Sequence, residues 1–176
     1  NLLDKKSVTD VVRGESLERR MTIMFSDMRD FTAISESMSP RDNFHFINAY
    51  LEHMEPVITR HNGIIDKYIG DAIMAIFPTS AGDAVDGAIA MLEELARYNA
   101  GLLERRREPI GIGIGLNTGL MMLGTVGGLN RMESTVISDA VNLASRVEGM
   151  TRGYGVDLLI TEHTYNSLAD ASRYKI

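Results

Sequence analysis

The chain has 176 residues and carries 18 Lys and Arg against 24 Asp and Glu, a net charge of -6. That length suits one domain with a full core, and the acidic balance argues against a nucleic-acid binder, whose affinity rests on clustered cations. Cysteine is absent, which excludes disulfides, Cys-ligated zinc and thiol nucleophiles.

Residues 1–20 mix Asp4, Lys5, Lys6, Asp10, Arg13, Glu15, Glu18, Arg19 and Arg20 with no long apolar run, so they read as a charged lead-in and not as a signal peptide. The missing initiator Met points to a piece of a longer protein, and a reducing, cytoplasmic setting is expected. Met21, Ile23, Met24 and Phe25 then form a short apolar run ending at Ser26-Asp27, the signature of a buried central strand. A short helix is expected over Phe31–Ser37. Pro40 opens a longer one to about His61, with Phe44, Ile47, Leu51 and Met54 as its inner side and Pro56 as a kink site.

Two apolar runs, 64–69 and 72–77, flank Gly70-Asp71, which predicts a β-hairpin. Ala84, Ala88, Met91, Leu92 and Leu95 have helical spacing within a helix expected over 83–107, ending in Arg105-Arg106-Arg107. From Ile110 to Asn130 there is no charge but there are seven Gly. This stretch is expected to be a second hairpin turning at Asn117-Thr118-Gly119, with something packed closely on its glycine face. It is not expected to enter a membrane. Ser138 or Asp139 starts a helix to about Arg152, followed by a strand at 158–161, a helix at 161–168 and the beginning of a further strand. The alternation predicts an α/β sandwich with helices packed on a central sheet.

Asp27 closes the first strand and Asp71 sits in the turn of the next hairpin. If those strands are neighbours, the two carboxylates meet at one sheet edge, where they repel unless a hard divalent cation joins them. The segment Met28-Arg29-Asp30-Phe31-Thr32 enters a helix whose free N–H groups can hold phosphate, with Asp30 a candidate cap. On the helix from Ser138, Asp139, Asn142 and Arg146 share a polar face, while Ala140, Leu143, Ala144 and Val147 are expected to face the core. His45, His53 and His61, eight apart, fall on different sides of one helix and make no zinc site.

The segments Phe25–Thr32, Lys67–Asp71 and Val141–Arg146, together with Asn117-Thr118-Gly119, resemble the catalytic domain of class III nucleotide cyclases in order and spacing. The similarity runs from about Glu18 to the C-terminus. It implies a ferredoxin-like or palm-like, mostly antiparallel sheet covered by helices, at residues 21–176. Residues 1–20 would be a helical linker, seeded by Val8, Val11 and Val12, from upstream sensor domains. It implies that Asp27, Asp71 and the Met28 carbonyl hold two Mg²⁺ or Mn²⁺ ions, and that Phe31 and Thr32 give phosphate-binding amides. Lys67 and Thr135 would read the purine, Asn142 would orient the ribose and Arg146 would stabilise the transition state.

The implied reaction is attack of the ribose 3′-oxygen of ATP on its own α-phosphorus, giving cyclic AMP and pyrophosphate. Lys67 can donate to adenine N1 and Thr135 can accept from the amino group, although hydrogen-bond counting alone also admits GTP. The resemblance implies a homodimer with two sites between subunits, and Thr135 suggests bicarbonate responsiveness. Three departures stand out: Ser138 replaces a usual Gly, Ser134 replaces a common aromatic, and the chain stops at Ile176 before the region where relatives carry a triphosphate-gripping Lys. The alternatives are a guanylyl cyclase and a non-catalytic nucleotide-binding domain; no signature of a cyclic dinucleotide synthase is present.

Overall fold

A computed structural model describes residues 16–128 and 131–175, with side chains at 17–124 and 136–175. The first strand, β1 (Ser16–Met28), is longer than its apolar run suggests. Residues 16–20, expected to end a helical linker, are strand instead, and the rest of that expected linker lies outside the described residues. β1 pairs antiparallel with β3 (Ala72–Phe77) on one side and with β4 (Ile112–Gly128) on the other. With β2 (Ile64–Ile69) and β5 (Arg131–Ile137) the order is β2-β3-β1-β4-β5, and the short β6 (Leu158–Ile160) runs parallel to β4.

Both faces of this sheet are covered, which is why its central strands read as unbroken apolar runs. Met24 and Met28 of β1 join Ile73, Ala75 and Phe77 of β3 in the larger core, and Met21, Ile23, Met74 and Ile76 form the smaller one. Two long helices cover the larger core: α2 (Pro40–Arg60) and α3 (Ala81–Glu104). Ser39 caps α2 by accepting from Asp42 N, and Ser80 caps α3 by accepting from Asp83 N. The apolar stripe of α2 is Phe46, Tyr50, Met54, Val57 and Ile58, rotated from the expected one, and Phe44 is 71% exposed. Of the expected stripe only Met54 is fully buried, because the i, i+4, i+8 series from Phe46 is the one that enters the larger core. The helix continues through Pro56. Arg105 ends α3, and Arg106 takes a left-handed φ of 56°, so the arginine triplet follows the helix.

The expected hairpin within 110–126 is overturned. β4 is a single strand of 17 residues, and the true hairpin joins β4 to β5. Asn117 and Thr118 are buried inside the strand, where hydrogen bonds satisfy them: Asn117 donates to the Ala140 carbonyl at 2.9 Å and accepts from the Thr161 hydroxyl at 2.8 Å, while the hydroxyls of Thr118 and Thr22 meet at 2.8 Å. These residues therefore build a polar node and not a turn. The glycines of β4 do admit a close neighbour, α4 (Asp139–Tyr154). A Cβ on Gly115 would stand 2.6 Å from the Ala144 carbonyl and strike the Glu148 amide as well, so only glycine lets this helix lie so low. Ala144, Val147 and Thr151 are buried, whereas Leu143, expected to face the core, is exposed. After β6 come α5 (Glu162–Tyr165) and a 3-10 turn at Ala171–Arg173 in place of the expected final strand.

Candidate active site

Asp27 and Asp71 meet because their strands meet. β1 and β3 pair from Thr22–Phe77 to Ser26–Ile73, which brings the end of β1 beside the turn between β2 and β3. Gly70 adopts a φ of 64° there, a left-handed conformation that a side chain would strain, and Asp71 follows it. The Met28 amide donates to Asp71 Oδ2 at 3.2 Å. Asp27, half-buried, is pushed up to about 7 by burial first, then by its hydrogen bond with Asp71 and the charges of Asp71 and Glu148. Two carboxylates in one place share a proton in this way when no cation separates them.

These acids line a pocket of about 460 Å³ together with Met28, Phe31, Thr32 and Arg152. Phe31 and Thr32 open α1 (Phe31–Glu36) and line the acids' pocket, which brings the start of that helix beside the two carboxylates. Asp30 does not cap α1. Its φ of 55° is left-handed, its side chain makes no cap hydrogen bond, and it pairs with Arg152 at 3.0 Å instead.

The remaining candidates stand elsewhere. Asn142 and Arg146 lie exposed on α4 and do not line this pocket, and neither does Lys67. Lys67 occupies β2 opposite Met74, next to a bulge, and its ammonium lies 3.2 Å from Asp66 Oδ2. Thr135 stands on β5 opposite Gly124; its side chain lies outside the described residues. Lys67 and Thr135 thus occupy the two outer strands of the β2-β3-β1-β4-β5 path.

Three charged neighbours of the site escaped sequence reasoning. Glu148 on α4 is half-buried, and burial raises its carboxyl pKa against the opposing charges of Arg29 and Arg152. Arg29 donates to the Val156 carbonyl at 2.8 Å and so ties the end of β1 to the segment after α4. Arg152 closes the pocket rim. Glu148 and Arg152 are one turn apart on α4 but roughly 200° or more around the helix from Arg146, so the polar face read from Asn142 and Arg146 did not include them.

Among the described residues no helix is long and apolar enough to cross a membrane. Residues 15–176 match the model of the adenylate and guanylate cyclase catalytic domain. The chain is 42% identical over 177 residues to an adenylate cyclase of Anabaena cylindrica, covering 96% of this chain and 35% of that protein. It is also 42% identical over 172 residues to the terminal-differentiation specific adenylate cyclase of Dictyostelium discoideum, covering 95% of this chain and 8% of the relative. The chain thus spans about a third or less of these curated relatives. Among solved structures, the guanylyl cyclase Cya2 superposes with a TM-score of 0.79 at 33% identity, covering 88% of this chain and 81% of that one. The adenylyl cyclase CyaB from P. aeruginosa does so with a TM-score of 0.77 at 31% identity, covering 86% and 81%. With its mostly antiparallel sheet, its acids at adjoining strand ends and this extent of match, the chain belongs to the class III adenylate and guanylate cyclase catalytic domain family.

Proposed function

We propose that the chain is the catalytic domain of an adenylyl cyclase, converting ATP to 3′,5′-cyclic AMP and pyrophosphate. The observation that carries this reading is the convergence of Asp27, Met28, Asp71, Phe31 and Thr32 on one pocket, in a chain 42% identical to proteins named adenylate cyclase.

The acids fit divalent metal. Their donor set is all oxygen, which suits Mg²⁺ or Mn²⁺, and the raised proton affinity of Asp27 beside Asp71 is the tension a cation relieves. Asp27, Asp71 and the Met28 carbonyl would hold two such ions. Held there, divalent ions neutralise triphosphate charge and favour ionisation of the ribose hydroxyl.

The chain's own residues supply position and charge. The Met28 amide keeps Asp71 aimed into the pocket, and the amides of Phe31 and Thr32 receive phosphate oxygens. Lys67 donates to adenine N1, the Thr135 hydroxyl accepts from the adenine amino group, and Asn142 orients the ribose. The 3′-oxygen attacks the α-phosphorus, its bond to the bridging oxygen breaks, pyrophosphate leaves, and the hydroxyl proton passes to solvent. Arg146 stabilises the charge on the five-coordinate phosphorus, a contribution of about 3 kcal/mol for one well-placed donor.

Asn142 and Arg146 are exposed on α4, away from the acids of their own chain, so they serve a second copy. Leu120, Met122, Ile137, Leu143 and Met150 are exposed apolar side chains on the same elements, β4, β5 and α4, and covering them favours a homodimer with two equivalent sites. Cytoplasmic placement, input from sensor regions of the parent protein and a bicarbonate response through Thr135 belong to the same reading.

The test is incubation of the purified chain with Mn²⁺ and either ATP or GTP, followed by product identification. Cyclic AMP is expected as the main product, with Asp27→Asn and Asp71→Asn each at least ~100-fold slower. Cyclic GMP as the main product would install the second reading, a guanylyl cyclase, favoured by the structural likeness to Cya2. Turnover unaffected by either substitution would overturn both readings.

A further inference from the structure

Among the described residues, the pocket of Asp27 and Asp71 is lined by four carboxylates, those of Asp27, Asp30, Glu36 and Asp71, and by a single guanidinium, that of Arg152. A triphosphate entering such a pocket meets divalent charge at Asp27 and Asp71. Beside the neutral amides of Phe31 and Thr32, its terminal phosphates call for a charged donor. Arg152 comes from the last turn of α4 and reaches across the pocket to Asp30 Oδ1 at 3.0 Å. Both partners are largely exposed, at 64% and 70% of their side chains, so the pair contributes little to folding and is readily exchanged. Glu148, one turn earlier on α4, feels the Arg152 charge. Asp30 itself holds a left-handed backbone without capping α1 by its side chain, which leaves its carboxylate to pair with the arginine. Such strain is commonest where a site requires it.

We propose that Arg152 is a substrate-binding residue that grips the terminal phosphates of the nucleotide and the departing pyrophosphate, exchanging its ion pair with Asp30 for them. A guanidinium presents paired donors that match phosphate oxygens better than they match one carboxylate oxygen. Asp30 then acts as a placeholder: it holds the arginine at the rim and sets the concentration of phosphate needed to draw it away. This inference rests on the nucleotide-cyclising reading of the site.

Calorimetric titration of the chain with pyrophosphate in Mn²⁺, beside steady-state kinetics with ATP, tests the proposal. Arg152→Ala is expected to raise the pyrophosphate Kd and the KM for ATP by about tenfold each, with kcat within about threefold of the parent value. Arg152→Lys should recover part of the loss because it keeps the charge, and Asp30→Asn should tighten pyrophosphate by about two- to threefold because it frees the guanidinium. Pyrophosphate affinity in Arg152→Ala within twofold of the parent chain would overturn the proposal. So would equal losses in the Ala and Lys variants together with a lowered unfolding temperature, which would mark a structural role. A parent chain that binds pyrophosphate through Arg152 but forms no cyclic nucleotide would remove the cyclase reading and leave the anion site standing.

Discussion

Asp27 binds its proton more tightly in the folded chain than in the unfolded one, at about 7 against an ordinary 3.8, because burial and Asp71 both disfavour its charge. The sign of the linkage follows: the stabilisation from this group is complete below about pH 4 and is lost as the pH rises toward 7. The unfolding temperature of the metal-free chain is therefore expected to fall across that window, Asp27→Asn should flatten the fall, and added Mg²⁺ should raise the curve most at its upper end. A slope identical in Asp27→Asn would show that the pair does not carry the effect. Both acids were legible in the sequence, since each closes a recognisable run and consecutive strands tend to be neighbours. Arg152 and Glu148 were not. Arg152 lines the pocket, and Glu148 acts on Asp27 through its charge, only because α4 folds back over β4, and nothing local in their segment announces that destination.

At the level of elements, β4 shows where local signals mislead. Asn117-Thr118-Gly119 has turn composition, yet Asn117 and Thr118 find buried partners on β1, α4 and the segment around α5, so tertiary hydrogen bonds outweigh local preference. The glycine alternation was read correctly as a sign of close packing, and α4 is what packs there. Gly115→Ala should destabilise the chain by about 1–3 kcal/mol through overpacking. At about 2–4 °C per kcal/mol, thermal unfolding should fall by roughly 2–12 °C. Gly101→Ala is the control: it lies in α3 with open space around it, and removing a helical glycine there should add about 0.5–1 kcal/mol. Equal unfolding temperatures for the two variants would contradict the packing account. The α2 stripe was misplaced for a related reason. Phe44 and Phe46 both have apolar neighbours at helical spacing, and only the docked sheet decides between the two series.

For the whole molecule, the question is which chain completes which site. Asp27→Ala and Arg146→Ala should each be inactive alone. Mixed in equal amounts and allowed to exchange, they should recover about a quarter of parental activity, because random pairing makes half of the dimers mixed and each mixed dimer has one intact site. No recovery after demonstrated exchange would place Asp27 and Arg146 in one chain's site. Sequence spacing could not address this, since Asn142 and Arg146 look the same whether they serve their own acids or another subunit's. What the folded chain adds is the outward position of both. α4 then has a further consequence. Seated on glycine and unable to sink deeper, it would act in the proposed dimer as a stiff bar, with the end bearing Arg152 at one reaction centre and the stretch bearing Asn142 and Arg146 at the other. A tilt imposed at either end must be felt at both, so the two halves of a symmetric pair would fire or idle in concert, and an input pushing on this bar would need only one point of purchase.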